Sequence, residues 1–209
     1  MRNKEETKNK LLKAVGRVIQ SGGMNSVGVN SVAAEAGVDK VLIYRYFGGI
    51  EGLLSDFISQ TDFFANIDGK FAQAGQINTS ADLLRAIRGL FASQLREMSQ
   101  NAVLREIMLW ELSTDNPVAR AIARKREESS LKLIAGMKKK FNFGEADAEA
   151  IISIISAAVS YLAIRSKTAD VYTGIDLNSP KGWQRLENAI ASIIDSIAGS
   201  MEIATIADE

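Results

Sequence analysis

The sequence predicts an all-α protein of nine helices. Three observations carry that prediction. Only two prolines, Pro117 and Pro180, occur in 209 residues, and both lie in the second half. The chain is 46% hydrophobic, enough to bury a core. Its apolar residues recur at spacings of three and four between glycine or proline breaks, with no sustained alternation that would mark strands. With so few breakers, long helices are favoured over a many-turned β architecture.

The first helix runs from about Lys4 to Ser21, with Leu11, Leu12, Val15, Val18 and Ile19 on one stripe, and Gly22-Gly23 ends it. Gly28 is a permissible but mediocre N-cap for a second helix, Val29 to Ala36, which Gly37 stops. A third covers Asp39 to Phe47, where the Asp39 carboxylate can cap the first amides. After Gly48-Gly49 a fourth, about Ile50 to Asn66, carries Leu53, Leu54, Phe57, Ile58 and Phe64. The stretch from Asp68 to Asn78, containing Phe71, reads as connection.

Long helices follow. Thr79-x-x-Asp82 has the form of a capping box and opens a helix through about Met98. The next covers Ala102 to Leu112, and Asn116-Pro117 starts one reaching Lys140. Lys138, Lys139 and Lys140 at its negative end compensate the dipole, with nucleic-acid contact as the alternative. Another spans Glu145 to about Lys167, and Ser179-Pro180 begins the last, to about Ile203.

Composition narrows the chemistry. Cysteine and histidine are both absent, which removes thiol nucleophiles, disulfides, thiolate metal sites and imidazole acid–base catalysis. No metal and no cofactor is expected. A carboxylate enzyme using Glu106, Glu111 or Asp115 is a rival reading, as is a helical protein-interaction module. The lack of cysteine fits the cytoplasm. Met1 to Glu6 lead into no apolar segment, so a signal peptide is not expected. The longest near-apolar stretch, Ala150 to Ile164, has 15 residues, short of the roughly 20 that span a bilayer, so no membrane partner is expected.

The formal net charge of zero conceals an asymmetry. Residues 1–50 hold eight cations against four anions, +4, and the remaining residues balance it with −4. A basic N-terminal lobe suits phosphate neutralisation. The same lobe contains Gly28-Val-Asn-Ser-Val-Ala-Ala-Glu-Ala-Gly37-Val-Asp-Lys-Val-Leu-Ile-Tyr-Arg-Tyr-Phe47, two short helices about a glycine turn, the outline of a helix-turn-helix. Val32, Ala33 and Ala36 form a small inner face, Val38 fills the angle, and Ile43 and Phe47 anchor the second helix. Lys40, Val41, Tyr44 and Arg45 are left to project outward.

The string Val32-Ala33-x3-Gly37-Val38-x4-Ile43-Tyr44-x-Tyr46-Phe47, followed by Glu51-x-Leu53-Leu54, resembles the TetR family of transcriptional regulators over roughly residues 8–58. The resemblance implies a nine-helix TetR-like architecture, with residues 1–60 a DNA-binding domain containing a three-helix helix-turn-helix. Residues 61–209 would then be a helical ligand-binding and dimerisation domain. It implies a ligand-responsive repressor that binds palindromic double-stranded operator DNA as a homodimer and responds to a small-molecule effector of unknown class. Tyr44 and Tyr46 would then meet backbone or base edges, Lys40 and Arg45 would supply charged contacts, and Asn30 and Ser31 would touch backbone. Core packing is the other reading of Tyr46, and plain solvation that of Lys40 and Arg45.

The sequence departs from the family pattern at three places. Gly28 stands where threonine is frequent, Val41-Leu42 where small residues are common, and Ile50 where a phosphate-binding lysine is typical. Val41 or Leu42 can instead meet a thymine methyl.

In the second half, the helix around Ile151 to Val159 is apolar nearly all round, so one side can face its own core and the other a partner. The last helix adds a broad stripe. Ile152, Ile155, Val159, Ile190, Ile193, Ile194 and Ile197 are the candidate dimer interface, paired with their copies in a two-fold four-helix bundle, as the resemblance implies; a monomer's core is the alternative. On the Pro117 helix, Arg126 and Ser130 interrupt the apolar stripe of Val118, Ile122, Ile134 and Met137, which marks either a cavity or an exposed middle stretch. Phe91, Met108, Trp110 and Tyr161 are candidate pocket walls or plain core.

Overall fold

A computed structural model describes residues 2–61, 67–72, 76–144, 147–200 and 203–206. Among them are ten α-helices: α1 Arg2–Gly22, α2 Val29–Ala36, α3 Val41–Phe47, α4 Ile50–Thr61, α5 Ile67–Ala72, α6 Ser80–Gln100, α7 Ala102–Ser113, α8 Pro117–Lys140, α9 Ala148–Arg165 and α10 Pro180–Ser200. All nine expected helices are present. The additional one is the six-residue α5, in the stretch read as connection; a single short turn-and-a-half has too little periodicity to register in sequence. Phe64, Glu145 and Met201 lie outside the described residues, and Ile203 is beyond the end of α10.

Side-chain caps open the long helices, at Thr79, Asn116 and Ser179 as anticipated and at Asn101 and Asp147 in addition. The Thr79 and Asp82 amides and side chains exchange hydrogen bonds: Thr79 N–H donates to Asp82 Oδ2 at 3.1 Å, and Asp82 N–H donates to Thr79 Oγ1 at 3.1 Å. Asn101, Asn116 and Asp147 accept from Leu104, Val118 and Ala150 N–H at 3.0, 2.8 and 2.9 Å, opening α7, α8 and α9. Ser179 Oγ accepts from Gly182 N–H at 3.0 Å and opens α10. Each such cap is worth about 1 kcal/mol.

Four two-residue strand pieces also form. β1 (Phe141–Asn142) pairs antiparallel with β4 (Ala204–Thr205). β2 (Val171–Tyr172) and β3 (Ile175–Asp176) make a hairpin whose turn residues Thr173 and Gly174 both have positive φ, 46° and 78°. That is the twist-matched turn of tight hairpins.

The chain divides into two compact units. The first comprises Met1–Ala65 and Asn101–Arg126. Its core joins Leu11, Val15 and Ile19 of α1 to Val32, Ile43, Leu53, Phe57 and Ile58, closed by Ile107, Val118 and Ile122. The Arg17 guanidinium holds the Glu35 carboxylate and links α1 to α2.

The second unit comprises Asn66–Gln100 and Glu127–Glu209. Leu83, Ile134, Met137, Phe141, Phe143 and Ala148 form one of its core clusters. Along its surface α6 is tied to α10 by Arg88–Asp195 at 2.6 Å and Arg96–Glu187 at 2.9 Å. On α9, Ala148, Ile155, Val159 and Ala163 are buried. Ala150, Ser153, Ile154, Ala157, Ala158 and Tyr161 are exposed, with Ile154 at 70% and Tyr161 at 51%. By length and composition α9 is also apolar enough to cross a membrane.

Candidate nucleic-acid interface

The two short helices are set by the four residues between them. Gly37 adopts φ 65°, ψ 35°, the left-handed conformation that ends α2. A Cβ there would meet nothing within 4 Å, so the demand for glycine is conformational and not steric. Gly37 N–H donates to the Ala34 carbonyl at 3.1 Å and Val38 N–H to that of Ala33 at 3.1 Å, satisfying two carbonyls at the end of the helix. Asp39 Oδ1 then accepts from Val41 N–H at 2.8 Å, capping α3 as its position suggested.

The start of α2 compensates for the missing side chain at Gly28. Ser31 Oγ reaches back to accept from Gly28 N–H at 2.9 Å and lies 2.7 Å from the Ser26 carbonyl, to which it can donate. Ser31, a candidate backbone contact, is therefore engaged within its own turn. Asn30 beside it is exposed.

Burial separates scaffold from surface on α3. Ile43 is fully buried, and Val38, Tyr46 and Phe47 pack partly against the same core. Val41 is 59% and Tyr44 57% exposed, and Lys40 and Arg45 are exposed as well. Positions 40 and 44, and 41 and 45, are one helical turn apart, so these four side chains make one continuous outward patch. Leu42 is half-buried, and so is Ile50, which packs against the core where a lysine would have reached outward.

Two further cations, on α1, meet the aromatic residues at the end of α3. Lys4 Nζ lies 5.8 Å from the centre of the Tyr46 ring, and Lys8 Nζ 5.6 Å from that of Phe47. Their spacing of four on α1 was the available signal, but nothing local in sequence tells which helix they face. Tyr46 divides its two readings: its body packs on the core while its face carries a cation.

The candidate pocket residues are dispersed. Phe91 lines an apolar cavity of the second unit with Ile155 and Ile194, while Trp110 lines a different cavity in the first, with Glu106 and Met24. Met108, on α7, is buried. Arg126 is ion-paired with Glu111, Ser130 is half-buried, and exposed Tyr161 meets the Tyr172 ring edge-on at 5.6 Å. Of the carboxylates weighed for catalysis, Glu111 and Asp115 are engaged by Arg126 and Arg120. Among the described residues no group of three acidic, histidine or cysteine side chains could hold a metal.

The interface candidates divide in two. Ile155, Val159 and Ile194 are buried within the second unit and have no free face to offer a partner. Ile152, Ile190 and Ile197 are half-buried and Ile193 is exposed. The outward apolar surface of α9 is one residue out of register with the anticipated one: Ile154, Ala157, Ala158 and Tyr161. Periodicity could not choose between them, because this helix is apolar on all sides.

Residues 11–57 match the family model of bacterial regulatory proteins, tetR family. No curated protein matches the sequence. Among solved structures, the chain is similar to the fatty acid degradation regulator FadR from Bacillus halodurans, at 19% identity and TM-score 0.67, over 90% of this chain and 94% of that one. It is similar to SmeT, the repressor of the Stenotrophomonas maltophilia multidrug efflux pump SmeDEF, at 14% identity and TM-score 0.63, over 94% and 90%. A TetR-family transcriptional regulator from Haemophilus influenzae RD shares 16% identity, with TM-score 0.61, over 96% and 99%. At these identities the likeness is one of fold, and it extends over both units. Residues 11–57 thus match the tetR-family model over the helix-turn-helix, within a chain whose fold is shared with solved TetR-family regulators.

Proposed function

We propose that the protein is a ligand-responsive transcriptional repressor that binds palindromic operator DNA as a homodimer in the cytoplasm. The observation that carries this is the outward patch Lys40, Val41, Tyr44 and Arg45 on a helix whose opposite side, through Ile43, is locked into the core. A rigid helix that presents two cations, an aromatic hydroxyl and a branched methyl group has the chemistry to enter a major groove. The cations and hydroxyl suit phosphates and base edges, and Val41 suits a thymine methyl. Lys4 and Lys8 add phosphate neutralisation beside it. Residues 1–60 form the DNA-binding domain in this reading, and 61–209 the effector and dimerisation domain.

Two recognition helices must reach successive major grooves, about 34 Å apart, which calls for a two-fold dimer. The exposed face of α9, with its small Ala157 and Ala158 between Ile154 and Tyr161, permits close helix approach to a second copy. Ala189 and Ile193 are exposed on α10 as well. A small molecule bound in the second unit would then change the spacing of the two heads and release DNA through reciprocal linkage. NalD and SmeT are named as repressors of multidrug efflux pumps, which supports repression as the mode. Nothing in this function calls for catalysis, and Glu111 and Asp115 serve as ion-pair partners.

Band-shift titration against genomic fragments at several salt concentrations tests the proposal. A specific shift whose affinity falls steeply with salt is expected; a folded dimer that shifts no fragment would refute it.

A further inference from the structure

The second unit contains a cavity of about 600 Å³ at the C-terminal end of α8, in the size range of small-molecule sites. The end of α8, with Phe141 that follows it, presents two neighbouring ridges to it. Leu133, Met137 and Phe141 recur every four residues along one; Lys132, Gly136 and Lys140 recur every four along the other. Phe71, Ile77 and Leu83 supply further apolar wall. Met137, Phe141 and Leu83 are buried in the core, so the floor is built before any ligand arrives.

Lys132 and Lys140 are about 12 Å apart along the helix at 1.5 Å per residue. Among the described residues neither is paired with a carboxylate, whereas nearby Lys138 is taken by Glu149. Between them Gly136 leaves an opening, since a Cβ there would meet nothing within 4 Å. Two flexible ammonium arms on either side of a gap, above an apolar floor, have complementary demands: a hydrocarbon body below and an anionic head between the lysines.

We propose that this cavity binds an amphipathic organic anion, an apolar chain or ring system that ends in a carboxylate, with Lys132 and Lys140 holding the head and the Leu133–Met137–Phe141 ridge the body. Its service as the effector site rests on the repressor reading; binding itself does not.

Calorimetric titration of the full-length protein with octanoate, 1-octanol and acetate, without DNA, tests the assignment. Octanoate is expected to bind at least tenfold more tightly than either, because only it satisfies floor and lysines together. The exposed Lys132→Ala, Lys140→Ala pair should erase the preference for octanoate over octanol. Gly136→Leu, which gains helix propensity and meets no neighbour at its Cβ, should block both ligands while circular dichroism and the melting temperature stay at or above wild type. Octanol binding as tightly as octanoate, octanoate failing to bind at millimolar concentration, or folded variants binding octanoate as wild type does would each overturn the proposal. With no DNA in the titration, such a failure would leave an operator shift standing.

Discussion

The carbonyl oxygen of Phe47 occupies the place of a side chain on Gly52: a Cβ built on that glycine would lie 1.9 Å from it. The last residue of α3 thus rests directly on the first turn of α4, and the angle between the two depends on that approach. Gly48 and Gly49, at φ 77° and 136°, turn the chain into it. A methyl group at position 52 must displace backbone and not a flexible side-chain tip. We expect Gly52→Ala to destabilise the first unit by about 1–3 kcal/mol or more, the usual range for overpacking. A melting temperature equal to wild type would contradict this.

On the surface of α3 the expected effects are on binding and not on folding. Tyr44→Ala with Arg45→Ala should leave the melting curve in place, since both side chains are exposed. Operator affinity should fall by about 1–3 kcal/mol for each side chain that reads a base edge directly, roughly 5- to 150-fold. Unchanged affinity in a folded double variant would remove α3 from the DNA-binding surface.

Lys4 and Lys8 call for a different readout. As phosphate partners, their removal should weaken binding equally on all sequences and flatten its salt dependence, by about 0.9 in the log–log slope for each phosphate no longer neutralised. Band shifts of the Lys4→Ala, Lys8→Ala variant at four or five salt concentrations measure that slope. An unaltered slope would leave these lysines as packing for Tyr46 and Phe47 only.

On α9, neighbouring positions should behave oppositely. Ile154→Glu places a charge on the exposed stripe and is expected to yield a folded monomer in light scattering at micromolar concentration. Val159→Glu buries a carboxylate in the second unit's own core and should unfold it instead. A dimeric Ile154→Glu variant would move the interface elsewhere.

The Asp82 carboxyl is held below its usual range, first by the Thr79 hydroxyl and then by the Asn78 and Thr79 amides and Arg85, against an opposing effect of burial. A folded pKa below the unfolded one stabilises at pH above the unfolded value, and the effect is lost as pH falls through the folded one. Asp82→Asn should therefore lower the melting temperature at neutral pH and lose less on acidification than wild type does. Parallel acid dependence in melts of the two proteins would contradict this.

Gln94 is the one buried polar residue among those described, 2% exposed, and its Nε2 donates to no partner there. Leaving such a donor unmade costs about 1–3 kcal/mol. Gln94→Leu, close in volume, is expected to raise the melting temperature; a fall would mean that the amide is satisfied in solution.

The legible and illegible parts of this protein differ in the range of the interactions that set them. Gly37, Asp39, Thr79-x-x-Asp82, Asn116-Pro117 and Ser179-Pro180 act on backbone within four residues, so helix starts and the recognition turn could be read from the chain. Val32 and Ile43 likewise announced a buried scaffold by spacing alone. Partners distant in sequence could not be read. That Lys4 meets Tyr46, that Arg126 meets Glu111, and that Ser31 serves its own turn instead of facing outward depend on packing between helices or on a loop's path. The rotation of α9 shows the limit most clearly. A helix apolar on every side carries no phase, so its neighbours bury Ile155 and Val159 and leave Ile154 and Tyr161 outside. The lysine-flanked cavity has the same origin: the K-x3-G-x3-K spacing is local, but it becomes a site only where Phe71, Ile77 and Leu83 close against it.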